Sequence, residues 1–139
     1  MGRVMAIDWG SKRVGVALSD ETRTIARPLD TLEVKSLKGA AEKLAAIISE
    51  NGVDEVVLGY PLHMDGTEGS SAKECRRLSD SLRTLLPGLR LVLMDERLSS
   101  VGAEAILRER GEKTRGRKER LDQVAASLLL QEYLDSARP

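Results

Sequence analysis

Phenylalanine is missing from this chain, and its only aromatic rings are Trp9, Tyr60 and Tyr133. A core must therefore be assembled from Leu, Val, Ile and Ala. A surface that stacks successive bases on rows of aromatic rings is disfavoured. The single cysteine, Cys75, cannot close an intramolecular disulfide and suits a reducing compartment. The single histidine, His63, removes multi-histidine metal sites and counts against a histidine base. The Gly-x-Ser-x-Gly elbow of acyl-transfer hydrolases is absent. No apolar run approaches the ~18 residues of a membrane-spanning helix. The N-terminus enters an apolar strand carrying Asp8, unlike a secretory signal, so the expected location is cytoplasmic, with no membrane partner. Net charge is missing too: 22 Lys and Arg balance 22 Asp and Glu, so any basic footprint must be local.

What is present fits a globular protein. With 139 residues, 41% hydrophobic and 32% charged, the chain is long enough to bury a substantial core. One domain over residues 1–139 is expected. Val4 to Asp8 and Val14 to Ser19 read as short apolar strands joined by a Gly10-Ser11-Lys12-Arg13 turn, hence an antiparallel hairpin. Residues 25–32 can form a third strand, which Pro28 confines to an edge or forces to bend. From Leu37 the period turns helical through Leu44 and Ile48, and Asn51-Gly52 supplies a stop. Val53 to Leu58 is a strand. A loop of residues 59–69 follows, then a helix opened by a Ser71/Glu74 capping box and stopped by Pro87-Gly88. Leu89 to Met94 is the fifth strand. Ser99 or Ser100 caps a helix to about Arg110, and a last helix runs from about Lys118 to Leu134. Three strands followed by strand–helix alternation imply a mixed α/β sheet covered by helices.

Acidic residues punctuate this pattern. Asp8 and the Asp95-Glu96 pair end apolar strands, and Asp122 lies early in the last helix. In open α/β sheets, ligands gather beyond the carboxyl ends of parallel strands. Carboxylates clustered there repel one another unless cations compensate them. Oxygen donors suit a hard divalent ion, most simply Mg²⁺. Such a site acts on phosphate esters by stabilising the attacking and leaving oxygens. Adjacent strand residues point to opposite faces, so spacing alone does not choose between Asp95 and Glu96.

Cations accompany the acids. Lys12 and Arg13 follow Asp8 directly, and Arg97 follows Glu96. Seven basic residues, including Arg115, Arg117 and Lys118, lie between 108 and 120 against three Glu. Gly111 and Gly116 make that stretch pliable. It is the best local footprint for a polyanion.

The blocks Asp8-Trp9-Gly10-Ser11-Lys12-Arg13-Val14-Gly15-Val16-Ala17, Gly59-Tyr60-Pro61-Leu62-His63-Met64-Asp65-Gly66-Thr67-Glu68-Gly69, Asp95-Glu96-Arg97-Leu98-Ser99-Ser100 and Asp122-Gln123-Val124-Ala125-Ala126 resemble, in order, those of the YqgF/RuvX family. Its members are described as pre-16S ribosomal RNA nucleases and as Holliday-junction-resolvase-like. The resemblance implies an RNase H-like fold, here a five-stranded mixed sheet flanked by helices. It also implies Mg²⁺ or Mn²⁺ held by Asp8, Glu96 and Asp122 as catalytic acids, with Asp95 in reserve. Lys12, Arg13, Arg97, Arg115, Arg117 and Lys118 would bind the substrate backbone. The implied activity is metal-dependent endonucleolytic cleavage at the 5′ end of precursor 16S rRNA. A resolvase acting on branched DNA and a noncatalytic nucleic-acid-binding factor are the alternatives. Either a monomer or a homodimer is compatible. His63 stands where relatives often have Asn, and Ser99-Ser100 where they often have Thr-Thr. Better-understood resolvase relatives carry an acid on the strand that here leads into Gly59-Tyr60-Pro61.

Overall fold

The computed structural model describes residues 2–10, 12–96 and 115–137, with the backbone alone for 115–123. Strands β1 (Arg3–Trp9) and β2 (Arg13–Ser19) form the antiparallel hairpin expected of two apolar runs around a short turn, with Asp8 opposite Gly15. Strand β3 (Ala26–Glu33) adds antiparallel to β2 as an edge. Its register slips where Val16 pairs with Asp30 but Ala17 pairs with Pro28. That is the local disruption expected of a proline that cannot donate to the ladder.

Helix α1 (Leu37–Glu50) starts where the Ser36 side chain accepts the Gly39 N–H at 3.0 Å. It stops before Gly52, whose φ of +64° suits a residue with no Cβ. The chain then enters β4 (Val53–Tyr60), parallel to β1, and after helix α2 (Ser70–Leu85) enters β5 (Arg90–Asp95), parallel to β4. The spatial order is β3-β2-β1-β4-β5. Helix α3 (Arg115–Ser136) is the last described element. The helix expected from Ser99 or Ser100 to Arg110 falls outside the described residues.

Strand alternation divides the core into two layers. Met5, Ile7 and Trp9 of β1 pack with Leu44 and Ile48 of α1 and Leu78 and Leu82 of α2. Val4 and Ala6 face the other way, onto Ala125, Ala126, Leu129 and Leu130 of α3. Helix α3 is tied near its C-terminal end. Gln131 accepts the Ala26 N–H and donates to the Thr24 carbonyl, both at 3.0 Å, and the Tyr133 hydroxyl donates to Glu55 near the start of β4. Leu129, one turn earlier, reaches Gly59 near the end of β4. The helix packs mainly on β2, β3 and β1 and runs antiparallel to β4, so its N-terminal half heads for the carboxyl edge of the parallel strands.

Two sequence expectations change. The Ser71/Glu74 capping box does not form: α2 begins at Ser70 after Gly69, with no side-chain cap. Glu74 instead accepts the Trp9 indole N–H at 2.9 Å, because a buried indole donor needs a partner. The final helix starts at Arg115 rather than near Lys118, taking in Gly116. A glycine costs a helix only ~1 kcal/mol relative to alanine, too little to set a boundary by itself.

Candidate active site

Asp8 belongs to the α3 face of the sheet by alternation, since Val4 and Ala6 share that face and Met5, Ile7 and Trp9 occupy the other. Parallel pairing of Ile7 with Leu58 sets Asp8 beside Gly59 one residue further on. At Gly59 the backbone comes close to Glu96: a Cβ built there would lie 2.3 Å from Glu96 Oε1 and 3.4 Å from Leu129 Cδ2. The Glu96 carboxylate thus rests on the α3 face at the end of β4. Asp95, paired with Tyr60, belongs by the same alternation to the opposite face. The structure brings Asp8 and Glu96 together on one face and leaves Asp95 on the other.

Asp122 lies in α3, four residues before Ala126 and seven before Leu129, in the half of the helix that heads for this edge. Its side chain, like those of Arg115, Arg117 and Lys118, lies outside the description, as does Arg97 entirely. Among the described residues, no group of three carboxylate, histidine or cysteine side chains is gathered as a metal site. The exposed Lys12 and the half-buried Arg13 flank the β1–β2 turn, at the same end of the sheet as Asp8.

The charge at this edge acts on Cys75, behind the sheet on α2. Burial, and then the carboxylates of Glu96, Asp8 and Glu74, push its thiol up to about 12. A thiol so raised is no nucleophile at neutral pH. Native protein at pH 8 is expected to resist a chromogenic disulfide reagent, while denatured protein titrates its one thiol promptly. Fast labelling of the native chain would contradict this.

The loop from Tyr60 to Gly69 rims the same edge and is folded on itself. The His63 N–H donates to Thr67 O at 2.9 Å and the Gly66 N–H to His63 O at 2.8 Å, with Gly66 at a φ of +88°. Asp65 accepts both the N–H and the hydroxyl of Thr67, which holds its carboxyl below the usual range. The Tyr60 hydroxyl donates to Glu68, which also pairs with Arg76 Nε at 2.9 Å; the bond to Glu68 raises the Tyr60 hydroxyl. His63 packs over Gly69, where an added Cβ would meet its Nε2 at 2.6 Å. None of these partners was legible beforehand. For the approach of Glu96 the available signal was Gly59 directly after Val56-Val57-Leu58, since a glycine in a strand often marks close approach by another group.

The two described carboxylates, Asp8 and Glu96, offer oxygen donors, which suit Mg²⁺ or Mn²⁺ better than a soft metal. Asp8 and Glu96 share a face, so they fit as ligands to one ion or one pair of ions.

Comparison with known proteins agrees with this picture. The family described as "RuvX: Holliday junction resolvase" matches residues 2–136. A Myxococcus xanthus protein named "Putative pre-16S rRNA nuclease" is 44% identical over 137 residues, covering 99% of this chain and 90% of its own. A Chloroflexus aggregans protein of the same name is 42% identical over 135 residues, covering 97% and 94%. Among solved structures, T. thermophilus RuvC in complex with a Holliday junction substrate superposes with a TM-score of 0.59 at 12% identity, covering 98% of this chain and 95% of that one. The Fowlpox virus resolvase in complex with Holliday junction DNA gives 0.59 at 12% identity, covering 99% of each. At such identity these likenesses speak to the fold, which is the RNase H-like arrangement that the family resemblance implied. With a family match over nearly its whole length and relatives above 40% identity, the chain belongs to the RuvX family.

Proposed function

We propose that this chain is a divalent-metal-dependent endonuclease whose favoured substrate is precursor 16S ribosomal RNA. The observation that carries the reading is the placement of Asp8 and Glu96 on one face, at the carboxyl ends of the parallel strands. Asp8 and Glu96 would hold Mg²⁺ or Mn²⁺, with Asp122 of α3 as the third acid. When bound, the metal draws charge from the phosphoryl oxygens and acidifies the attacking water. Lys12 and Arg13 at the β1–β2 turn, with Arg97, Arg115, Arg117 and Lys118, would bind the phosphate backbone of the substrate. Such contacts fix register without reading sequence. The RNA preference rests on the names of the relatives. The family description and the resolvase likeness support a second reading, a homodimer making paired incisions in branched DNA.

The test is cleavage, in Mg²⁺ and in Mn²⁺, of a precursor carrying the 5′ extension of 16S rRNA and of a four-way DNA junction. Metal-dependent incision of the RNA supports the first reading. Symmetric cuts in the junction alone transfer the site to the second. Binding of both substrates with cleavage of neither removes the catalytic reading and leaves a nucleic-acid-binding factor.

A further inference from the structure

We propose that Gly59 is a positioning residue, its missing side chain being the seat in which the Glu96 carboxylate rests beside Asp8. The inference rests on the metal-site reading above. Every other residue of β4 carries a side chain, and the strand is buried from Glu55 through Gly59. Gly59 is not there for its backbone conformation, since it is a regular strand residue whose partner in β5 is Met94. Nor is it needed for packing of the helix: Leu129 Cδ2 would stand 3.4 Å from an added Cβ, an ordinary contact. What an added methyl meets is Glu96, with Oε1 at 2.3 Å and Cδ at 3.1 Å.

Those atoms are the far end of a flexible side chain. A methyl at 59 therefore displaces the carboxylate at little cost to the fold. Glu96 enters the site from the end of β5, one strand further out than β4. Its reach to Asp8 passes over residue 59, and only a glycine leaves that path open. The acid from β5 thus occupies, at the edge, the place a β4 side chain would otherwise fill.

The experiment is Mn²⁺ binding by calorimetry and by the electron paramagnetic resonance of free Mn²⁺, on the whole chain. Wild type, Asp8→Asn, Gly59→Ala and Gly59→Ala combined with Glu96→Asp are compared, with thermal melts in EDTA. Gly59→Ala is expected to melt close to wild type yet bind Mn²⁺ about 10-fold or more weakly, as misplaced metal ligands do. Shortening the acid in the double variant recovers part of that loss. Wild-type affinity in Gly59→Ala, with binding abolished in Asp8→Asn, overturns the role of Gly59 and leaves the metal site standing. Absence of Mn²⁺ binding by wild type overturns both. A metal-free measurement covers the case in which Gly59→Ala does not fold. In the chain with its native glycine, Glu96→Gln should shift the Gly59 amide resonance far more than that of Gly52, at the other end of β4. Equal, small shifts would overturn the contact.

Discussion

Replacing Asp8 with Asn is expected to lower metal-dependent cleavage by more than about 100-fold. Loss of a group that merely supports a metal ligand already costs ~10–100-fold, and Asp8 is proposed as a ligand itself. The fold should survive, because Asn matches Asp in shape. Without metal the variant should melt at or above the wild-type temperature. Two carboxylates brought to one sheet face repel each other, and the amide removes one of the charges. Asp95→Asn is the control: that side chain belongs to the opposite face and should leave cleavage near the wild-type level, whereas Glu96→Gln should follow Asp8→Asn. Cleavage time courses in Mn²⁺ with melts in EDTA read both effects. Full activity in Asp8→Asn, or loss in Asp95→Asn with retention in Glu96→Gln, would dismantle the proposed site.

The second large effect concerns stability. Arg23→Ala is expected to destabilise the fold by about 2–3 kcal/mol, lowering the melting temperature by roughly 10 °C. Glu55 is 6% exposed, a carboxylate inside the sheet near the start of β4. Its partners are Arg23 at 3.4 Å, Arg90 at 3.7 Å and the Tyr133 hydroxyl. Burial and that same carboxylate push the Tyr133 hydroxyl up to about 12, so it stays a donor at every physiological pH. Arg90 is largely exposed and solvated, which leaves Arg23 as the principal cationic partner. Its guanidinium also bonds the Gly2 carbonyl at 2.8 Å and pairs with Asp54, tying the turn after β2 to the residue just before β1 and to β4. Removing one partner from a fully dry pair costs ~3–5 kcal/mol. The lower figure here reflects the part of Arg23 that still meets water. Arg23 also sits at a φ of +58°, where glycine is relaxed and alanine is not. Arg23→Gly should therefore be somewhat milder than Arg23→Ala. A denaturant titration separates the two, and a loss below 1 kcal/mol in both would mean that Arg90, Tyr133 and water, not Arg23, compensate Glu55.

Much of this fold was legible in the sequence because its signals are local. Val4 to Ile7 is an apolar run and Val53 to Leu58 ends in one, Val56-Val57-Leu58, and both read as buried strands. Pro28 marked an edge. Leu44 and Ile48 kept the helical period up to a glycine stop. Asp8 was legible as well, an acid closing a buried strand. The choice between Asp95 and Glu96 was not, because it depends on which face of β5 meets α3, a fact of register between elements. The resemblance favoured Glu96, and the strand alternation puts Glu96, not Asp95, on the face that Asp8 occupies. Glu74 misled for a related cause. Its spacing from Ser71 fits a cap, but the Trp9 indole, 65 residues away, competes for the same carboxylate and wins. Gly59 looked like the start of a loop, because nothing local says what will lie against it.

The Glu55 cluster and the Glu96 seat are both built on β4, four residues apart, about 13 Å at ~3.3 Å per strand residue. Groups separated so far and sharing no partner contribute additively. One end of the strand holds the molecule together, and the other is free to do chemistry. A lineage inheriting this sheet can try new rims, cations and substrates at the acidic edge while its resistance to unfolding is kept elsewhere, which makes the architecture evolvable as well as stable.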